Sequence, residues 1–166
     1  MQDDNATGFI KHYKGRYAFV ALLPNEGISV NDYISHLTGE KIQSILKNES
    51  YKTVYTSLPK FETKFEFSLV DILQSMGITD AFNPNIADFS KIGDAYHLHI
   101  SDAFQKTFIS VGELGTKAGA VTVIEMAPEA APEPMEIKYV YLNRPFVYML
   151  IDTETNTPFF IGAYNS

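Results

Sequence analysis

The stretch Glu113–Met135, ELGTKAGAVTVIEMAPEAAPEPM, decides how this chain is read. It begins as a strand would end. Small residues follow (Gly115, Ala118, Gly119, Ala120), and the segment closes in Pro, Ala and Glu. Neither a core helix nor a core strand needs that composition. It predicts a long exposed loop, residues 113–138, whose first part keeps the capacity to become a strand. A loop of this length in a compact domain is usually functional or disordered.

Upstream, the periodicities alternate between strand and helix. Gly15–Leu23 (GRYAFVALL) is a near-continuous apolar run and predicts a buried strand. Two short helices follow the Pro24–Gly27 turn. Ser29 caps the first, with Tyr33, Ile34 and Leu37 on one face; Thr38 caps the second, with Ile42, Ile45 and Leu46 inward. Thr53–Leu58 is a strand ending before Pro59. Phe61, Thr63, Phe65, Phe67 and Leu69 then alternate with Lys60, Glu62, Lys64, Glu66 and Ser68, so this strand has one wet face. Ser68 is expected to cap a helix with Asp71 as its reciprocal partner, an apolar stripe of Leu69, Ile72, Leu73 and Met76, and a stop at Gly77. Residues 81–93 are irregular, with a helical turn near 87–91. Tyr96–Val111 is strand-like, bent or helical over 102–106. Downstream of the loop, Glu136–Leu142 is a strand. Phe146–Asp152 and Pro158–Tyr164 are apolar on both faces and predict a buried hairpin within 145–164.

Composition limits the partners. The 166 residues suffice for one domain with a real core. Aromatics reach 13% without tryptophan, which favours β-rich packing. A net charge of −7 argues against nucleic acid, which needs a basic face. With no cysteine there is no disulfide, thiolate metal site or cysteine nucleophile. No apolar run approaches the ~20 residues of a membrane span, and MQDDNATGF has no signal-peptide pattern. No metal or cofactor is expected: His97 and His99 lack a third ligand. Nor is an enzyme: Ser101-Asp102 lies outside any nucleophile elbow.

Several segments together resemble the serpin family of serine protease inhibitors. NATGFIKHYKGRYAFVALLPNEG resembles its entry into sheet B, and YKTVYTSLPKFETKFEFSL the strand pair ending in the sixth strand of sheet A. DILQSMGITDAFNPNIADFSKI resembles the helix and Phe-Asn-Pro connection after it. FISVGELGTKAGAVTV resembles strand five of sheet A running into the reactive-loop hinge, and LNRPFVYMLIDTETNTPFFIGAYN the C-terminal hairpin. The resemblance covers residues 1–166 as a single partial domain, the C-terminal part of a serpin. It implies an α+β fold of mostly antiparallel sheets with a few short helices. The chain is then either part of a longer product or a truncated gene.

What the resemblance implies for the loop agrees with its chemistry. Glu113, Gly115, Thr116, Ala118, Gly119 and Ala120 stand as the hinge. Small side chains pass between existing strands without obstruction, and Lys117 alternates outward. The family count places the cut bond at Glu129-Ala130; a longer spacing to Pro145 keeps Met126, Ala130 and Ala131 as candidates. Gln105 stands where many relatives carry histidine. The implied role is suicide inhibition by a full-length, extracellular parent with a serine protease as partner, the fragment alone being inactive. The alternatives are a non-inhibitory serpin-like binding protein and an inactive truncated remnant. Exposed strand edges are expected to favour homo-oligomers.

Overall fold

The computed structural model describes residues 1, 3–48, 53–93, 97–113, 115–117 and 137–165. The fold is α+β, with antiparallel pairing predominant, and the chain forms two compact units.

The first unit is built on a four-stranded antiparallel sheet. Its strands are β1 (Ala6–His12), β2 (Tyr17–Pro24), β8 (Phe146–Asp152) and β9 (Thr157–Tyr164), in the order β1-β2-β8-β9. The apolar runs behave as their continuity predicts: β8 is buried throughout and β2 everywhere but Tyr17. One face of the sheet presents Ala18, Val20, Leu22, Val147, Met149 and Ile151. Two helices cover that face, α1 (Val30–Ser35) and α2 (Gly39–Lys47), through Val30, Tyr33, Ile42, Ile45 and Leu46. Both caps are as expected. The Asp32 amide donates to Ser29 Oγ at 3.0 Å and the Lys41 amide to Thr38 Oγ1 at 3.2 Å. Ile34, assigned inward by its spacing, is exposed instead. A six-residue helix has room for only a narrow buried stripe, and Val30 and Tyr33 fill it.

The opposite face carries an aromatic row crossing all four strands. Phe9 lies 6.5 Å from Phe19, Phe19 6.3 Å from Tyr148, and Tyr148 6.2 Å from Phe160. Such pairs contribute about 0.5–1.5 kcal/mol each beyond the area they bury. Gly162, opposite Tyr148, has no room for a side chain: a Cβ there would lie 2.5 Å from the Tyr148 hydroxyl. β9 departs from the prediction. It is not buried on both faces, since Phe159 (58% exposed) and Ile161 point outward. Its apolar residues mark a strand at the end of the sheet order, with β8 on one side only.

Polar contacts fasten this unit's loops. Asp3 accepts from the Asn5 and Ala6 amides (2.8 and 2.6 Å), from the Tyr33 hydroxyl (3.0 Å) and from Lys41 Nζ (3.2 Å). Arg16 pairs with both Asp152 and Glu154, joining the β1–β2 turn to the β8–β9 turn. A second sheet in this unit pairs β3 (Thr53–Ser57) with β7 (Ile137–Tyr141) in parallel, the one parallel pair among the described residues.

The second unit holds β4 (Phe61–Ser68), α3 (Val70–Ser75), a 3-10 turn at Asp80–Phe82, and all of β5 (Phe104–Gly112) and β6 (Gly115–Lys117) but Gly112 and Gly115, which fall to the first. The sheet order is β4-β5-β6. Phe61 and Ile109 are buried and Val111 faces Phe61 across the antiparallel pair. The wet face of β4 is salt-bridged, Lys64 with Glu62 at 3.3 Å and Lys106 with Glu66 at 3.1 Å. It also carries Phe104 and Phe108, each beneath a lysine ammonium.

Three expectations are corrected here. The N-cap of α3 is Leu69 rather than Ser68, and the Leu69 side chain caps nothing; Ser68 Oγ accepts from the Val70 amide. Its stripe is not buried: Ile72 and Met76 are exposed. The strand after the irregular segment starts at Phe104; 97–103 is irregular, with a turn at His97, and joins no strand. The stop at Gly77 holds. With φ of 95°, Gly77 donates to the Gln74 carbonyl while Ile78 donates to Leu73, the double bond pattern of a glycine-terminated helix.

Candidate functional site

The site is the loop between β5 and β7, and its two ends are held differently. On the upstream side, the buried Ile109 and Val111 fix β5. The chain then passes Glu113, whose exposed carboxylate accepts a salt bridge from Lys60 Nζ at 2.8 Å. The β4–β5 register explains the meeting. Phe61 opposes Val111, so the residue before one strand stands near the residues after the other.

Gly115–Lys117 then form β6, on the side of β5 away from β4. Only two residues separate β5 from β6, a connection that permits antiparallel pairing alone. Of the expected hinge, Glu113 therefore lies at the turn, while Gly115 and Thr116 have strand backbone. Ala118, Gly119 and Ala120, and the cleavage candidates Met126, Glu129, Ala130 and Ala131, lie outside the described residues.

On the downstream side, β7 pairs with β3 over its whole length. Val140 and Leu142 are buried, and the Leu142 amide donates to the Ser57 carbonyl at 2.9 Å. Arg144 Nη2 donates to the Pro24 carbonyl at 2.8 Å, tying the exit of β7 to the end of β2. The downstream end is thus anchored by core side chains and ladder bonds. The upstream end has core side chains and ladder bonds only as far as β5; beyond them come an exposed ion pair and a short strand. That arrangement offers strand addition: the edge of β5 presents a row of backbone donors and acceptors to the segment that follows it.

The remaining candidates take local roles. His97 has a left-handed backbone, with φ of 57°, and its Nδ1–H donates to the Pro84 carbonyl at 2.7 Å; His99 Nδ1–H donates to the His97 carbonyl at 2.8 Å. The two do not share a strand face, because 97–103 is not a strand. No cluster of three metal-ligating side chains occurs among the described residues. Gln105 opposes Phe67 in the β4–β5 pair. The Lys60–Glu113 contact went unread in the sequence; opposite charges flanking two strands that pair only across α3 and the irregular segment were its only signal.

Comparison with known proteins bears on this geometry. The family model described as Serpin (serine protease inhibitor) matches residues 2–166. An uncharacterized serpin-like protein of Thermococcus kodakarensis is 34% identical over 163 residues, covering 98% of this chain and 38% of that protein. Alpha-1-antiproteinase of Rattus norvegicus is 32% identical over 150 residues, 90% of this chain and 35% of its own length. Among solved structures, the thermophilic serpin Tengpin in its native state superposes with a TM-score of 0.82 at 50% identity, covering 99% of this chain and 43% of Tengpin. Tengpin in its latent state gives 0.79 at 42% identity, over 99% of this chain and 43% of that one. The chain thus spans well under half the length of the relatives it matches. With a family match over nearly its whole length and an α+β fold shared with Tengpin, the chain belongs to the serpin family.

Proposed function

We propose that these 166 residues are one partial serpin domain. Its full-length, extracellular parent inhibits serine proteases by being cut in the loop and inserting the hinge. The hinge comprises Glu113, Gly115, Thr116, Ala118, Gly119 and Ala120, and the cut falls among Met126, Glu129, Ala130 and Ala131. The single observation that carries this reading is β6. Gly115–Lys117 already lie as a strand beside β5, where an inserting hinge begins. Extending that pairing by about a dozen backbone hydrogen bonds, at ~1 kcal/mol net each, supplies on the order of 10 kcal/mol. That equals the stability of a whole domain, enough to distort an enzyme held on the loop as an acyl intermediate. The fragment alone does not inhibit, because the strands that would close around the inserted hinge belong to the part of the fold it does not span.

The test is incubation of the full-length form with a panel of serine proteases. A complex stable to heat and SDS is expected, with mass spectrometry placing the cut between Met126 and Pro132. Cleavage solely outside that window, or no complex with any protease, rejects the proposal. Cleavage without a rise in melting temperature selects the non-inhibitory binding serpin instead, since insertion stabilises strongly.

A further inference from the structure

One face of the β3–β7 pair carries three tyrosines. Tyr55 and Tyr139 are direct neighbours in the parallel register, and Tyr141 lies two residues further along β7 on the same face. The Tyr55 and Tyr139 rings are stacked, centroids 5.5 Å apart with 20° between their planes; Tyr139 and Tyr141 are 6.0 Å apart at 44°. The three residues are 54%, 59% and 50% exposed. Their neighbours on that face are Thr53, Ser57 and Ile137, none of them charged or readily oxidised.

The composition sharpens what this cluster does under oxidation. The chain has no cysteine and no tryptophan. Thiols and indoles are the side chains that compete with phenols for a one-electron oxidant. Without them the electron vacancy settles on tyrosine, and the described residues present three solvent-reachable phenol rings in contact here, of which Tyr55 and Tyr139 are the stacked and closer pair. Exposed side chains reorient on the picosecond-to-nanosecond scale, so the stacked rings slide edge to edge long before a radical meets a second molecule.

We propose that Tyr55 and Tyr139 form an oxidative cross-linking site, joined by a haem peroxidase using hydrogen peroxide. Each phenol gives up one electron and one proton and becomes a phenoxyl radical. The two radicals combine by a carbon–carbon bond between positions ortho to the hydroxyls. Each bonded carbon then loses its hydrogen as a proton while its own oxygen regains one, which restores both rings. Two hydrogen atoms leave the protein, and one peroxide is reduced to two waters. The product is a covalent bridge between β3 and β7, the strand that anchors the downstream end of the loop. This inference stands whether or not the parent inhibits a protease.

The test treats the 166-residue chain with horseradish peroxidase and limiting hydrogen peroxide at low protein concentration. Blue dityrosine fluorescence is expected in the monomer, with a mass loss of two hydrogens. Tryptic digestion should yield one cross-linked pair, residues 53–60 joined to the segment beginning at Tyr139. Tyr55→Phe should abolish that pair, and Tyr141→Phe should retain it. Circular dichroism checks that both variants keep the fold. Fluorescence undiminished in Tyr55→Phe, bridges mapped to other tyrosines, or bridges formed mainly between molecules in proportion to concentration would each overturn the assignment.

Discussion

Lys60 Nζ lies 2.8 Å from the Glu113 carboxylate, so the residue that leads into β4 grips the turn between β5 and β6. Both side chains are exposed, and an exposed pair of this kind contributes about 0.2–1 kcal/mol. Its effect is therefore local. Lys60→Met is expected to leave the melting temperature nearly unchanged while speeding amide hydrogen exchange at Gly115–Lys117. High salt should mimic the substitution. Unchanged exchange in β6 alongside a large fall in melting temperature would contradict this account.

Gly162 is required by contact. Its Cβ would meet the Tyr148 hydroxyl at 2.5 Å and the ring carbon bearing it at 2.6 Å. Gly162→Ala should destabilise by about 1–3 kcal/mol, the usual cost of overpacking. Urea unfolding should show a lower midpoint at constant slope. Adding Tyr148→Phe should recover only part of the loss, because the ring itself stays in the way.

The Asp3 cluster sets the pH limits. Burial pushes the Asp3 carboxyl up. Donors from Asn5, Tyr33, Lys41 and Ala6 together outweigh burial and hold it below its ordinary 3.8. A depressed folded-state value means the contribution is complete above 3.8 and is lost as pH falls through the folded-state value. Asp3→Asn should lower stability near neutrality and flatten the acid limb. Tyr33 works in the other direction: burial first, then the Asp3 charge, pushes its phenol well above 10.0. Its contribution is present below 10.0 and lost on the alkaline side. Tyr33→Phe should therefore flatten the alkaline limb and cost about 1.5–3 kcal/mol at neutral pH, the usual value of a hydrogen bond to a charged group. Stability profiles against pH check both.

Arg16 bridges two carboxylates, and Asp152 is the more enclosed of the two, its side chain 12% exposed. Arg16→Ala leaves Asp152 buried without its cation and should lower the melting temperature. Arg16→Lys should fall between, because a single ammonium cannot reach both acids with the forked geometry of guanidinium. Equal melting temperatures for all three proteins would remove the pair from the list of structural supports.

Where a signal is local, the sequence reading and the structure agree. Ser29 and Thr38 cap their helices because capping needs only the following turn. Ile42, Ile45 and Leu46 face inward because a nine-residue helix has a defined stripe. β2 and β8 are buried as their unbroken apolar runs require. Agreement fails where burial depends on a distant neighbour. Phe159, Ile161, Ile72 and Met76 are apolar yet exposed, and nothing within their own segments distinguishes them from core residues. At the loop, composition suggests a hinge through its small side chains, most of which lie outside the described residues. The contacts that hold its two ends, Lys60 to Glu113 and Arg144 to the Pro24 carbonyl, depend on strand register, which no short window of sequence encodes.

The four-stranded sheet joins β2 to β8, segments separated by most of the chain. During synthesis, β2 leaves the ribosome with β1 as its sole neighbour and waits for β8 while the helices, the second unit and the loop are translated. At roughly 5–20 residues per second that interval lasts on the order of ten seconds. For that time one of the most apolar strands of the protein faces solvent with an unoccupied edge, and its yield in a cell is set by how well chaperones shield it until the closing hairpin arrives.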